Sequence, residues 1–236
     1  MANPANSQQS PPASGQAPVR IAHAMVFPPF AEVKDGKSEG LAVDILRAAA
    51  EQAGIEVEFV PVPFEQVQQT LEDGRAQAIF PLTITPERLP LFDFSEPLLV
   101  TGGALFVIAP NATPENLDAL ADKVVVTPRT GPLAAFIRKT APKVKLLIVE
   151  NYEESLARLI GGEADAAALN PAGARIAARL YPGQVTEPRK MFTELPFAVA
   201  VSKGRGEELV SSLNAGLRAI RANGTWQQIN NRWAGN

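Results

Sequence analysis

The stretch LTITPERLPLFDFSEPLL, residues 82–99, sets Thr83, Thr85 and Arg88 directly after an apolar, strand-like run. It then returns through a proline-broken segment to Phe92, Asp93, Phe94 and Ser95. An arginine beside a half-buried segment needs a partner. Its guanidinium is a rigid fork of donors that fits a carboxylate with two parallel hydrogen bonds. Two chemistries are open: an internal ion pair with Glu87, Asp93 or Glu96, or capture of an anion that arrives from outside.

Other chemistries are excluded or left without parts. Cysteine is absent, which removes disulfides, thiolate nucleophiles and sulfur-ligated metals. The single histidine, His23, lies in the alternating run VRIAHAM, and no second ligand motif or triad partner accompanies it. No metal or cofactor is expected. With 22 basic residues against 25 acidic and no basic run, the chain has no general attraction for nucleic acid or anionic membrane. Its apolar stretches, such as residues 164–169, are too short to span a bilayer. The reading is therefore a soluble globular protein.

The elements that must position Arg88 follow from periodicity. Residues 1–17, MANPANSQQSPPASGQA, carry no charge and little apolar surface, so residues 1–18 are expected to be a disordered tether. No charged start followed by an apolar core marks a signal peptide, which leaves a cytosolic protein or an exported chain whose leader is gone, and the tether favours the second. Beyond it, strands are expected at 19–24, 55–61, 76–81, 104–109, 124–127, 145–150, 164–169 and 195–202. Helices are expected from Gly40 to Gly54, from Phe64 to Asp73, after Pro114, and at 130–139, 152–160, 171–180, 207–222 and 225–233. Strand and helix in alternation argue for α/β architecture with parallel sheets. Ligands collect at the carboxyl ends of such strands, which singles out four loops: FPPF, PLTITPER, TPRTGPL and LNPAG.

Those loops, with GLAVDILRAAAEQAG, LEDGRAQAIFPLTITPERLPLFDFSEPLL, VVVTPRTGPLAAFI, LIGGEADAAALN, LPFAVAVSKG and GTWQQINNRW, occur in an order that resembles the bacterial solute-binding protein family 3. These are two-lobed proteins that deliver amino acids and similar solutes to ABC transporters. The resemblance covers nearly everything from Val19 to Trp233. It implies a periplasmic-binding-protein fold of type II, two mostly parallel sheets flanked by helices and joined by two hinge strands near 104–109 and 195–201. The first lobe is expected to hold residues 19–103 and 202–236, and the second residues 104–201. It also implies a small-molecule carboxylate ligand, an ABC permease as partner, a monomeric state and a periplasmic or cell-surface location.

The resemblance assigns roles residue by residue. Arg88 grips the ligand carboxylate, helped by Thr83, with Pro81 ending the strand that carries them. Phe27 and Phe64 match aromatic positions that pack on the ligand, and Thr130 and Gly131 match a loop that gives backbone N–H groups. Three positions depart from the pattern. Amino-acid binders hold the α-ammonium with a carboxylate where this chain has Asn170, and a second acidic position is Ala24. Arg129 stands where a small residue is usual: pointing inward it gives the cleft a second free guanidinium that could answer a second acidic group on the ligand, and pointing outward it is an ordinary solvent-facing charge. Two readings follow: a carboxylate ligand without an α-ammonium, or an amino acid whose ammonium is met by another acid such as Glu194. Alternatives of other classes are the sensing domain of a receptor and, less favoured, a dehydratase acting on cyclic dienyl acids.

Overall fold

The computed structural model describes residues 17–129 and 131–234. Chain order runs β1 (Val19–Ala24), the short strands β2 (Val26–Phe27), β3 (Ala31–Lys34) and β4 (Lys37–Glu39), and helix α1 (Leu41–Gln52). Then come β5 (Val57–Val62), a 3-10 turn at Phe64–Gln66 leading into α2 (Val67–Glu72), β6 (Ala78–Thr83), β7 (Phe92–Phe94) and β8 (Leu99–Ile108). The chain continues through β9 (Val124–Pro128), α3 (Leu133–Thr140), β10 (Lys145–Val149), α4 (Tyr152–Ile160), β11 (Ala166–Leu169) and α5 (Pro171–Ala178). It ends with β12 (Val185–Thr186), β13 (Thr193–Ser202), α6 (Glu207–Ala222) and α7 (Thr225–Ala234). None of the described helices is long and apolar enough to cross a membrane.

The strands form one curled sheet in the order β10-β9-β11-β8-β13-β6-β1-β5, with β12 on β8 and β7 on β13. Each flank is a parallel trio, β10-β9-β11 and β5-β1-β6. The middle is antiparallel, where β8 and β13 pair with each other and each passes on to one flank. This is the two-lobed architecture expected.

Period-two alternation sorts apolar side chains to the two faces of the sheet. Along β8, Ala104 and Phe106 enter one cluster with Leu156, Leu159 and Ala174, while Leu105 and Val107 enter another with Val125 and Ile137. In the first lobe, Ile21, Ala78 and Phe80 face α1 and α6, whereas Ala22 and Ile79 face Leu71 and Phe92. Each lobe thus buries both faces of its sheet, as a parallel sheet requires.

Several elements differ from the sequence reading. The hinge strands are longer than expected: β8 begins at Leu99 and β13 at Thr193. Two glycines, Gly102 and Gly103, sit in β8 because nothing larger fits. A Cβ on Gly102 would lie 2.1 Å from the Thr193 carbonyl oxygen, and one on Gly103 would lie 2.5 Å from Leu133 Cδ2. The segment around and after FPPF forms a small three-stranded sheet, β2-β3-β4, and its β3-β4 turn carries positive φ at both Asp35 and Gly36. An Asp-Gly pair between short strands is a strong hairpin signal, and the sequence reading had no strand there. The helix expected after Pro114 is only a 3-10 turn at Asp118–Leu120. The tether reading falls on residues outside the described ones, save its last two.

Candidate functional site

Strand register places the site before any side chain is considered. In the first lobe, Ala24 pairs with Val62 and Ala22 with Ile79, so β1, β5 and β6 finish at nearly the same level. In the second lobe, Pro128 pairs with Val149 and Val126 with Ala167, so β9, β10 and β11 also finish together. On the connecting strands, Phe197 pairs with Thr83 and with Leu99, while Ala104 pairs with Leu169. Both carboxyl edges therefore point at each other across the segment 99–104. At about 3.3 Å per residue that gap is on the order of 17 Å along β8. A cleft between two such edges is where open α/β sheets bind ligands.

The first edge carries a cation with no carboxylate of its own. Arg88 follows Thr83 through a tight turn, in which its N–H donates to the Thr85 carbonyl at 2.9 Å. Its guanidinium is half-buried and donates Nη1–H to the Thr83 carbonyl at 3.0 Å. Burial pulls its pKa down from the usual value, and the nearby Glu87 charge opposes this. The three acids that could have neutralised it are engaged elsewhere. Glu87 pairs with Lys139 at 2.9 Å, Asp93 with Lys203 at 2.5 Å, and Glu96 with Arg218 and Arg221 at 2.6 and 2.8 Å. The first of the two chemistries left open by the sequence, an internal ion pair, is not formed among the described residues.

The same carboxyl edge carries aromatic side chains. Thr83 is buried, and Pro81 is half-buried. Phe27 is half-buried, with its ring 5.2 Å from Phe30 and 5.8 Å from Phe197, so it belongs to the core as well as to the edge. Phe64, two residues past the end of β5, is 43% exposed and has no ring partner among the described residues. His23 does not join this group. It is buried, its Nδ1 contacts the Ala24 carbonyl at 2.8 Å and its Nε2 the Ser38 hydroxyl at 2.7 Å. It ties β1 to β4, and burial holds its pKa below the ordinary 6.5.

The second edge closes on itself. Arg129 donates Nε–H to Glu150 at 2.6 Å, and both side chains are more than half exposed. Asn170 is 4% exposed and caps α5: Oδ1 accepts from the Ala172 N–H at 3.0 Å, while Nδ2–H donates to Thr101 Oγ1 at 2.7 Å. Gly131 has φ +87° and open space where a Cβ would stand. Thr130 lies outside the described residues. Glu194 is exposed and pairs with Gly102 across the hinge. Alternation puts it on the face opposite Thr101, Leu195 and Phe197, which are buried, so it points away from Asn170. These placements run against two expectations, a second free guanidinium at Arg129 and a compensating acid at Glu194. The physical reasons are an ion pair in one case and strand alternation in the other.

Sequence reasoning missed three participants. Thr101 is a polar residue inside an apolar run, and its partner lies 69 residues away. Phe197 sits in LPFAVAV and looks like any core aromatic. Lys139 reaches Glu87 from the far side of the gap. Elsewhere, a hollow of about 530 Å³ lined by Val19, Gly54, Ile55 and Arg205 opens at the amino end of β1. It lies at the opposite end of the strand from the cleft and is not part of it.

Known proteins share this arrangement. The chain is 30% identical over 210 residues to the glutamine-binding protein GlnH of an ABC transporter from Bacillus subtilis (strain 168), covering 84% of this chain and 73% of that protein. It is 23% identical over 220 residues to the virulence sensor protein BvgS of Bordetella bronchiseptica, covering 92% of this chain but 18% of that protein. A solved ancestral arginine-binding protein bound to glutamine superposes with a TM-score of 0.76 at 29% identity, covering 94% of this chain and 99% of the other. The profile of one family matches residues 19–236. The chain belongs to the bacterial extracellular solute-binding proteins, family 3.

Proposed function

We propose that this chain captures a small carboxylate-bearing solute, an amino acid or related organic acid, in the interlobe cleft and delivers it to an ABC importer. The observation that carries the reading is Arg88: half-buried, without a carboxylate partner among the described residues, and donating only to a backbone carbonyl. Desolvating a guanidinium without a counter-charge is costly, and an incoming carboxylate offsets that cost with two charge-assisted hydrogen bonds. Thr83, Pro81, Phe27 and Phe64 form the wall on the Arg88 side. Gly131 and Asn170 face them from the other. The lobes are taken as residues 19–103 with 202–236, and residues 104–201, closing by rotation about β8 and β13. The chain acts outside the cytoplasm as a monomer. It works by binding and not by catalysis, because the loop after Leu169 offers Asn170, Pro171, Ala172 and Gly173, with no tuned acid or base.

The named activity of the GlnH relative, glutamine binding for an ABC transporter, supports this reading. The BvgS match supports a second one, a ligand-sensing domain of a receptor, since the likeness runs over most of this chain. Titration calorimetry of the protein against amino acids and organic acids, with mass spectrometry of any co-purifying small molecule, tests the proposal. Binding of a carboxylic acid that Arg88→Ala abolishes is the expected result. Unchanged affinity in Arg88→Ala together with a lowered melting temperature overturns it.

A further inference from the structure

We infer that the solute is a monocarboxylic acid without a positively charged amino group, such as a 2-hydroxy or 2-oxo acid. The inference rests on the carboxylate reading of Arg88 and concerns what stands opposite it. An ammonium brought into a closed cleft loses its water and needs an anion, or several acceptors, in exchange. Among the described residues, the second carboxyl edge offers no such group. Two buried polar side chains stand there: Thr127, whose hydroxyl donates to the Ala168 carbonyl, and Asn170. The cap fixes the orientation of Asn170: the Ala172 N–H requires the amide oxygen, so the amide nitrogen is the atom that faces Thr101. What remains uncommitted is one N–H hydrogen and one oxygen lone pair, neither of them charged. A hydroxyl or keto oxygen is met well by that N–H, and an ammonium is not.

The carboxylates among the described residues do not repair this. Glu150, at the end of β10, is neutralised by Arg129. Among the half-buried acids, Asp44 holds Arg47 and Arg232, Asp93 holds Lys203, Glu96 holds Arg218 and Arg221, and Glu154 holds Arg158. Glu32 pairs in register with Val26, which is 76% exposed, so it shares the solvent-facing side of its hairpin. Glu194 is on the outer face of the hinge ribbon. The ion pair of Arg129 commits that guanidinium within its own lobe, so it is not free to meet a second carboxylate on the ligand. The apolar remainder of the wall, Phe27 and Phe64, suits an uncharged body.

The test uses matched pairs: arginine, glutamine, leucine and phenylalanine, each against the 2-hydroxy acid of the same side chain, titrated calorimetrically into the wild-type protein and Asn170→Asp. In the pair whose side chain fits best, the hydroxy acid is expected to bind at least about tenfold more tightly than the amino acid. Asn170→Asp, which keeps a capping oxygen, is expected to reverse that preference. An amino acid that binds the wild-type protein as tightly as its hydroxy partner, with both lost in Arg88→Ala, overturns the inference and leaves the carboxylate reading standing. A ligand from either series that Arg88→Ala still binds at full affinity overturns the carboxylate reading, and this inference with it.

Discussion

The two carboxyl edges that face each other are built alike and finished differently. Each ends a parallel trio of strands, and each places an arginine just beyond its central or neighbouring strand. In the second lobe that arginine, Arg129, is answered within its own lobe by Glu150, and the buried amide of Asn170 is tied to α5 and to β8. In the first lobe Arg88 has acids close by in sequence, yet each is drawn to another cation. The same topology therefore gives one edge that is electrostatically complete and one that is not. That unanswered charge at a half-buried position is what the proposed carboxylate capture rests on.

The contrast between the arginines is the sharpest place to break it. Arg88→Ala is expected to remove about 2–5 kcal/mol of ligand affinity, as when one member of a desolvated charge pair is truncated, while leaving the melting temperature almost unchanged. Arg129→Ala, measured in the same titration, is expected to change affinity less than roughly threefold, because an exposed ion pair contributes little. Equal losses in the two variants erase the distinction. A smaller effect tests the ribbon that joins the edges. Gly102→Ala forces a Cβ against a backbone oxygen at 2.1 Å, and overpacking of this kind costs about 1–3 kcal/mol, read as a lowered urea midpoint.

Acid sensitivity also divides the lobes, since the only histidine of the chain lies in the first. Burial lowers the pKa of His23 below 6.5. The unfolded chain therefore binds a proton that the folded one refuses, and stability rises with pH through that window. Its contribution is complete above about 6.5 and is lost progressively as the pH falls from there towards the depressed folded-state value. The urea midpoint is expected to drop between pH 7 and pH 5, and less so in His23→Gln. The smallest effect belongs to the ion pair that spans the gap. Lys139 holds the Glu87 carboxyl down to about 2, so the pair persists at any ordinary pH and loses its effect only as the pH falls below 4.5 towards that value. Glu87→Gln is expected to speed ligand release by roughly threefold at most, with the difference vanishing at 1 M salt.

Much of this was legible in the chain itself. The span of β1, α4 and α6 follows from the sequence to the residue, because β1 is a short apolar run buried on both faces and each helix has an apolar face and a clear boundary, Asn151 before α4 and Gly206 before α6. Arg88 stands out locally because a strand, a turn and a charged residue lie within a few positions, whereas the role of Thr83 comes from the family resemblance alone. What was not legible depends on distance along the chain. Nothing local reveals that Asn170 reaches Thr101, that Glu150 neutralises Arg129, or that Glu194 falls on the outer face of its strand. Those facts depend on register between strands far apart in sequence, and a shift of one residue would reverse each side chain's face. The β2-β3-β4 hairpin is a different case, since the Asp35-Gly36 signal of its turn is local.

The ladder shared by β8 and β13 has a last consequence. Each strand donates and accepts backbone hydrogen bonds in both halves of the molecule. Melting either half strips partners from the other, so neither can persist as an independently folded unit. Heating is expected to give a single calorimetric transition, and severing either ribbon should disassemble the whole instead of releasing two stable pieces.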